Sequence, residues 1–129
     1  MESVNLLAVL LAAASSFLLG GLWYSKALFL EPWLRASGAI PQAGHPARVF
    51  GVSFVLALIA AAAFALWLGP APPLALALQR GLIVGACFVA ASFGINYQFA
   101  GRSPLLLAID GGYHVAQFTL YGLVLGLWH

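Results

Sequence analysis

Long apolar stretches, almost free of charged residues, make up most of this chain and limit what it can fold into. Four of them, at residues 4–24, 49–68, 74–100 and 105–128, reach the roughly 20 residues that a helix needs to cross a membrane core. Only 6% of the 129 residues are Asp, Glu, Lys or Arg, against about 25% in soluble domains. Because so few charges cannot cover a water-facing surface, we predict an integral membrane protein.

The backbone decides the form of these stretches. In hydrocarbon every N–H and C=O group needs a partner within the structure, and the alternation of a barrel strand is absent, so we predict helices. The connections at 69–73 and 100–103 are short, which places the helices that they join side by side and antiparallel. We therefore predict an all-α fold, a single domain over residues 1–129 that forms an antiparallel bundle of four transmembrane helices.

The only sizeable connection runs from residue 25 to residue 48. Its first part, residues 27–34, mixes apolar and charged side chains and predicts a short helix that lies at the membrane interface. Its second part, residues 38–46, is rich in Gly and Pro and predicts an irregular segment.

The basic residues predict an orientation. Lys26, Arg35, Arg48 and Arg102 lie in the connections between helices 1 and 2 and between helices 3 and 4, whereas the opposite side carries only Arg80. Since Lys and Arg concentrate in cytoplasmic loops, we expect both connections in the cytoplasm and both termini outside. Five scattered basic residues form no stripe, so we expect the lipid bilayer, and no nucleic acid, as a partner.

One polar face interrupts the fourth apolar stretch. Asp110, His114, Gln117 and Tyr121 lie at helical spacing on one side of a helix. A charged residue at membrane depth costs about 2.5–3.5 kcal/mol to insert. We therefore expect this face to point into the protein, where Asp110 can find hydrogen-bond partners.

The third stretch offers a matching surface. Ser92 and Asn96 share an α-helical face with Gly85, and Asn96 lies at nearly the depth of Asp110. Because helices 3 and 4 form a tight hairpin, we expect an Asn96–Asp110 contact. Further candidate donors to the carboxyl group are Tyr24, Tyr97, His114 and Arg102.

Small residues recur in three of the stretches and predict close helix packing. In lipid, helices associate through such residues and through polar contacts. They are Ala12, Ser16 and Gly20 in the first stretch, Gly81 and Gly85 in the third, and Gly122 and Gly126 in the fourth. Four helices leave little room for a path within one chain, so we expect a homo-oligomer through these faces.

Several short segments of the chain resemble a known family. They are Leu19-Gly20-Gly21-Leu22-Trp23-Tyr24-Ser25, Asn96-Tyr97 with Gly101-Arg102, and Asp110-Gly111-Gly112-Tyr113-His114. The chain is similar over nearly its whole length to small bacterial four-helix membrane proteins catalogued as domain of unknown function 1761. The resemblance implies an integral protein of the bacterial inner (plasma) membrane and supports four spans, but it implies no substrate.

Together these features predict a polar pocket in the cytoplasmic leaflet. We expect it to bind a small ligand or a proton, as part of a transport or sensing subunit, with Asp110 as the charged group. Since only Asp110 and His114 offer ligand atoms at membrane depth, and a metal site needs three or four, we expect no metal and no cofactor. The predicted pocket residues are Trp23, Tyr24, Asn96, Asp110, Tyr113 and His114.

Two alternatives stay open. The protein is a cofactor-free membrane enzyme acting on a lipid-soluble substrate, with Asp110 and His114 as an acid–base pair, or a purely structural partner subunit in which Asp110 only joins helices. An enzyme needs a closed pocket of roughly 300–1,000 Å³ that contacts both side chains.

Overall fold

Five helices and their connections make up the part of the fold that the structure describes. A computed structural model describes residues 4–38 and 45–129, and that part of the chain contains no strand. The all-α prediction is therefore confirmed for the described residues. The helices are α1 (Leu6–Trp23), α2 (Leu30–Ser37), α3 (Pro46–Leu68), α4 (Leu74–Ala100) and α5 (Pro104–Leu127).

Residues at the helix ends explain where the helices begin. The Asn5 side chain accepts hydrogen bonds from the backbone N–H groups of Leu7 and Ala8 at the start of α1. The Ser103 hydroxyl caps α5 in the same way, and Pro104 follows as its first residue. The short helix α2 begins at Leu30, three residues later than predicted. Most of the segment predicted to be irregular, at 39–44, lies outside the described residues.

Three helices in the described part, and not the predicted four, are long and apolar enough to cross a membrane by length and composition. The mean hydropathy is 2.1 for α1, 2.6 for α3 and 1.9 for α4. The fifth helix is long enough, with 24 residues, but Asp110, His114 and Gln117 make it less apolar. Bulky apolar side chains such as Phe50 and Phe99 lie on the outer surface of these helices, as expected of lipid-facing helices.

The helix α5 is central in the fold, and this position explains its polar composition. It contacts α1, α2, α3 and α4, and its buried side includes Asp110, Gln117 and Tyr121. A helix that is surrounded by other helices meets lipid over less of its surface, so it can carry polar side chains that a peripheral helix cannot. The polar face predicted from spacing thus points into the protein.

Glycines set the close contact between α4 and α5. A Cβ atom added at Gly81 would lie 2.2 Å from the carbonyl oxygen of Phe118, and one at Gly122 would lie 2.3 Å from that of Ala77. Real Cβ atoms do not approach oxygens so closely, so only glycine permits this spacing. The small-residue faces of the third and fourth stretches are therefore used inside the chain, and they do not provide the surface expected for a homo-oligomer.

A π-helical segment at Val84–Ala90 changes the face that α4 turns toward α5. In a π-helix each hydrogen bond spans one residue more than in an α-helix, so the contact face moves forward by one position. Gly85, near the start of the segment, and Ala90, its last residue, both contact α5, as does Phe93 after the segment. Uninterrupted α-helical spacing from Gly85 would place residues 89 and 92 there instead.

Candidate functional site

Asp110 lies at the meeting point of three parts of the chain. The Tyr24 hydroxyl, just after the end of α1, donates to Oδ1 at 2.7 Å, and the Tyr97 hydroxyl from α4 donates to Oδ2 at 2.5 Å. The Asp110 side chain is only 8% exposed. Each carboxyl oxygen thus receives one phenol hydrogen bond, which offsets the cost of burying the group.

The expected Asn96–Asp110 contact is wrong by one residue. Asn96 is exposed, and the neighbouring Tyr97 reaches the carboxyl group instead. The π-helical segment explains the difference, because it shifts the face of α4 by one position between Gly85 and this end of the helix. Asn96 therefore lies outside the cluster formed by the other predicted pocket residues.

Trp23 and Tyr113 strengthen the same junction. The Trp23 indole N–H donates to the Ile109 carbonyl oxygen at 3.0 Å, and the Tyr113 hydroxyl donates to the Ser16 carbonyl oxygen at 2.9 Å. A Cβ atom at Gly112 would lie 3.1 Å from the Trp23 ring, so this glycine lets the indole lie against α5. Both contacts join α1 to α5 beside Asp110.

The short helix α2 covers this cluster. The Trp33 ring packs edge-on against Tyr24, with 5.8 Å between ring centroids. The Arg102 guanidinium, which is exposed, donates to the Ser37 carbonyl oxygen at 2.8 Å and does not bind Asp110. Burial raises the pKa of the Tyr24 phenol, and its hydrogen bond to Asp110 raises that pKa further. Tyr24 therefore stays protonated and able to donate.

His114 belongs to a second polar network, which runs along α5 away from Asp110. Its Nδ1 atom lies 2.5 Å from Oε1 of Gln117, whose Nε2 donates to the Tyr121 hydroxyl at 2.7 Å. The fully buried Tyr121 hydroxyl also lies 3.3 Å from the Ser16 hydroxyl and 3.3 Å from the Ala57 carbonyl oxygen. Tyr121 thus joins α5 to α1 and α3, whereas both Gln117 hydrogen bonds stay within α5.

This network defines which nitrogen of His114 is available. The Gln117 amide nitrogen is used for Tyr121, so its oxygen faces the imidazole, and an oxygen can only accept. With the Gln117 amide in this orientation, Nδ1 carries a proton and Nε2 is an acceptor in the neutral ring. Among the described residues no buried side-chain nitrogen or oxygen lacks a partner, so Nε2, which binds none of them, is open to its surroundings.

The two networks give the site different chemical capacities. Asp110 and His114 bind different partners and are not joined by a direct hydrogen bond. No three His, Cys, Asp or Glu side chains in the described ranges lie close enough to share a metal ion. Phe93, whose ring lies 4.8 Å from the His114 ring, was not predicted, because only the π-helical segment brings it to this face.

The one-residue shift in α4 gives a direct prediction. Replacing Tyr97→Phe removes a donor from a buried carboxyl oxygen and should lower the free energy of unfolding by about 1–3 kcal/mol. The matched control Asn96→Ala changes an exposed neighbour and should stay within about 0.5 kcal/mol of wild type. Denaturant unfolding in detergent micelles measures both variants, and a larger loss for Asn96→Ala than for Tyr97→Phe would contradict the register.

The comparison with known proteins agrees with the resemblance seen in the sequence. Residues 7–126 match the profile of a family described as Protein of unknown function (DUF1761). No curated protein and no solved structure matches the chain. The match spans nearly the whole chain and includes the Trp23–Ser25 and Asp110–His114 segments. The protein therefore belongs to the DUF1761 family of proteins of unknown function.

Proposed function

We propose that α5 also crosses the membrane, so that four helices span it as an antiparallel bundle. Its 24 residues measure about 36 Å at 1.5 Å per residue, which is enough for the hydrocarbon core. It follows α4 after a turn of three residues and packs along it through Gly81, Gly85 and Gly122. In this arrangement Asp110, Gln117 and Tyr121 of its polar face are buried against the neighbouring helices, which also supports membrane insertion.

Cysteine labelling tests the number of spans and the orientation. On a Cys87→Ser background, four spans place His129→Cys and Pro70→Cys on the outer side of the bacterial inner membrane and Arg35→Cys in the cytoplasm. A membrane-impermeant maleimide added to intact spheroplasts should therefore label positions 70 and 129 and spare position 35. Labelling of position 70 without position 129 would show that α5 does not cross.

We propose that the polar cluster in the cytoplasmic half of the bundle binds a small ligand or a proton, in a transport or sensing subunit. The observation that carries this proposal is the pairing of a buried Asp110 with an open His114 Nε2 one helical turn away. Ionisable groups inside membrane segments are costly and commonly serve ions, protons or ligands. If the cluster only joined helices, it would not need an imidazole group whose Nε2 acceptor is unused.

The two side chains have distinct roles in this proposal. Asp110 holds the end of α1 and the end of α4 through Tyr24 and Tyr97, so a change in its charge would alter both contacts. His114 presents Nε2 to an incoming group while Gln117 fixes its ring. A homo-oligomer is compatible with this function.

Fluorescence in nanodiscs tests the function. With Trp67→Phe and Trp128→Phe as background, the signal comes from Trp23 and Trp33, which contact the cluster. If the cluster exchanges a proton, emission should depend on pH, and Asp110→Asn or His114→Phe should reduce that dependence at least several-fold.

The control is Glu31→Gln, which removes the exposed acid of α2 and should leave the pH response unchanged. A bound ligand should instead appear as a small molecule that copurifies with wild type and is lost from His114→Phe in native mass spectrometry. A folded wild-type protein with neither a cluster-dependent pH response nor such a molecule would leave only the structural role.

A further inference from the structure

A groove between α1, α3 and α5 leads to the open side of His114. We divide the groove into an upper part of about 440 Å³ and a lower part of about 280 Å³. Phe17, Ser53 and Tyr113 line both parts. His114 and Gln117 line the lower part only. The groove is separate from the Asp110 carboxyl group, which belongs to neither lining.

The packing of α3 explains why the groove exists. The second half of α3 enters the core through Ala61, Phe64 and Leu68. Its first half is largely exposed, as Phe50 and Leu56 illustrate. The second half of α3 thus packs against α5, beginning near the Tyr121–Ala57 hydrogen bond. The first half of α3 stays apart from α5 and leaves a gap that faces the surrounding lipid.

The upper part of the groove suits a flat ring. Phe17, Phe50, Tyr24 and Tyr113 contribute aromatic walls, and Gly21 adds no side chain to the surface between them. A Cβ atom at Gly21 would meet nothing within 4 Å, so this glycine is not needed for packing within the chain. Aromatic rings pack favourably against one another in offset or edge-on arrangements.

Two unpartnered polar groups lie in the lower part. One is the His114 Nε2 atom, a hydrogen-bond acceptor in the neutral ring. The other is the Ser53 hydroxyl. Hydroxyl groups in membrane helices usually bond to a carbonyl of their own helix, as those of Ser16 and Thr119 do, but that of Ser53 has no partner among the described residues.

We propose that this groove binds a lipid-soluble aromatic molecule that carries a hydroxyl group. The hydroxyl donates to Nε2 of His114 and accepts from the Ser53 hydroxyl, while the apolar body lies along Phe17 and Phe50 toward the lipid. A plain acyl chain would fill the same space but would leave both polar groups without partners. This inference rests on the proposed function and names its ligand class.

Photolabelling in nanodiscs tests the ligand class. The probe is a long-chain alkylphenol with a diazirine on its chain, compared with its methyl ether, which keeps the ring, the chain and the oxygen but has no donor. Wild type should be labelled in the groove about tenfold more by the phenol than by the ether, the effect of one hydrogen bond in a site shielded from water. Peptide mapping should place the label on the segment around Phe50 and Ser53.

Variants separate the groove from ordinary lipid contact. Gly21→Phe fills the upper part and should abolish specific labelling, whereas Leu18→Phe changes an exposed position of the same helix and should not. His114→Phe keeps the ring contacts but removes Nε2, so phenol and ether should label it equally. Ser53→Ala changes an exposed residue and removes the donor to the ligand oxygen, which phenol and ether both carry, so it should reduce groove labelling by both probes several-fold.

The outcomes are distinct from those of the fluorescence test. Equal labelling of wild type by phenol and ether, or full labelling of Gly21→Phe, would overturn this inference while a cluster-dependent pH response still stood. If His114→Phe fails to fold, Ser53→Ala and Gly21→Phe decide the question. Reduced labelling of Ser53→Ala by both probes, together with loss of groove labelling in Gly21→Phe, would support the inference, and labelling of either variant at the wild-type level would overturn it.

Discussion

A carboxyl group buried among apolar helices needs a hydrogen bond at each of its oxygens, and this requirement organises one end of the molecule. Tyr24 and Tyr97 meet it from two different parts of the chain. Since both phenols must reach Asp110 at once, the end of α1, the end of α4 and the start of α5 are held in one arrangement. The contacts of Trp23 and Tyr113 then join α1 to α5 beside this point.

The same constraint explains why α5 is central. A helix with Asp110, His114 and Gln117 on one face is unfavourable in lipid unless neighbours cover that face. Glycines bring α4 into backbone contact on one side, and α1 covers another. Only the first half of α3 stays apart, and the resulting groove gives His114 an open side within an otherwise satisfied polar network.

Much of this arrangement follows from the sequence, because hydrophobic length and helical spacing are local properties. They predicted the helices, the inward polar face of α5 and the approach of Tyr24 to Asp110. The Asn96 contact failed, since a π-helical segment is not visible in spacing and moves the contact face to Tyr97. The fourth span was predicted from the length of the apolar stretch, but the composition of α5 alone does not show that this helix crosses the membrane. The groove depends on the angle between α3 and α5, which no short sequence pattern encodes.

The most direct test of the account is a double-mutant cycle between Tyr24→Phe and Asp110→Asn, with unfolding measured in detergent micelles. If the Tyr24 phenol donates to a buried Asp110, the free-energy effects of the two changes should be non-additive by about 0.5–3 kcal/mol. Additive effects, within about 0.3–0.5 kcal/mol, would show that the two side chains do not interact and would contradict the inward placement of the polar face.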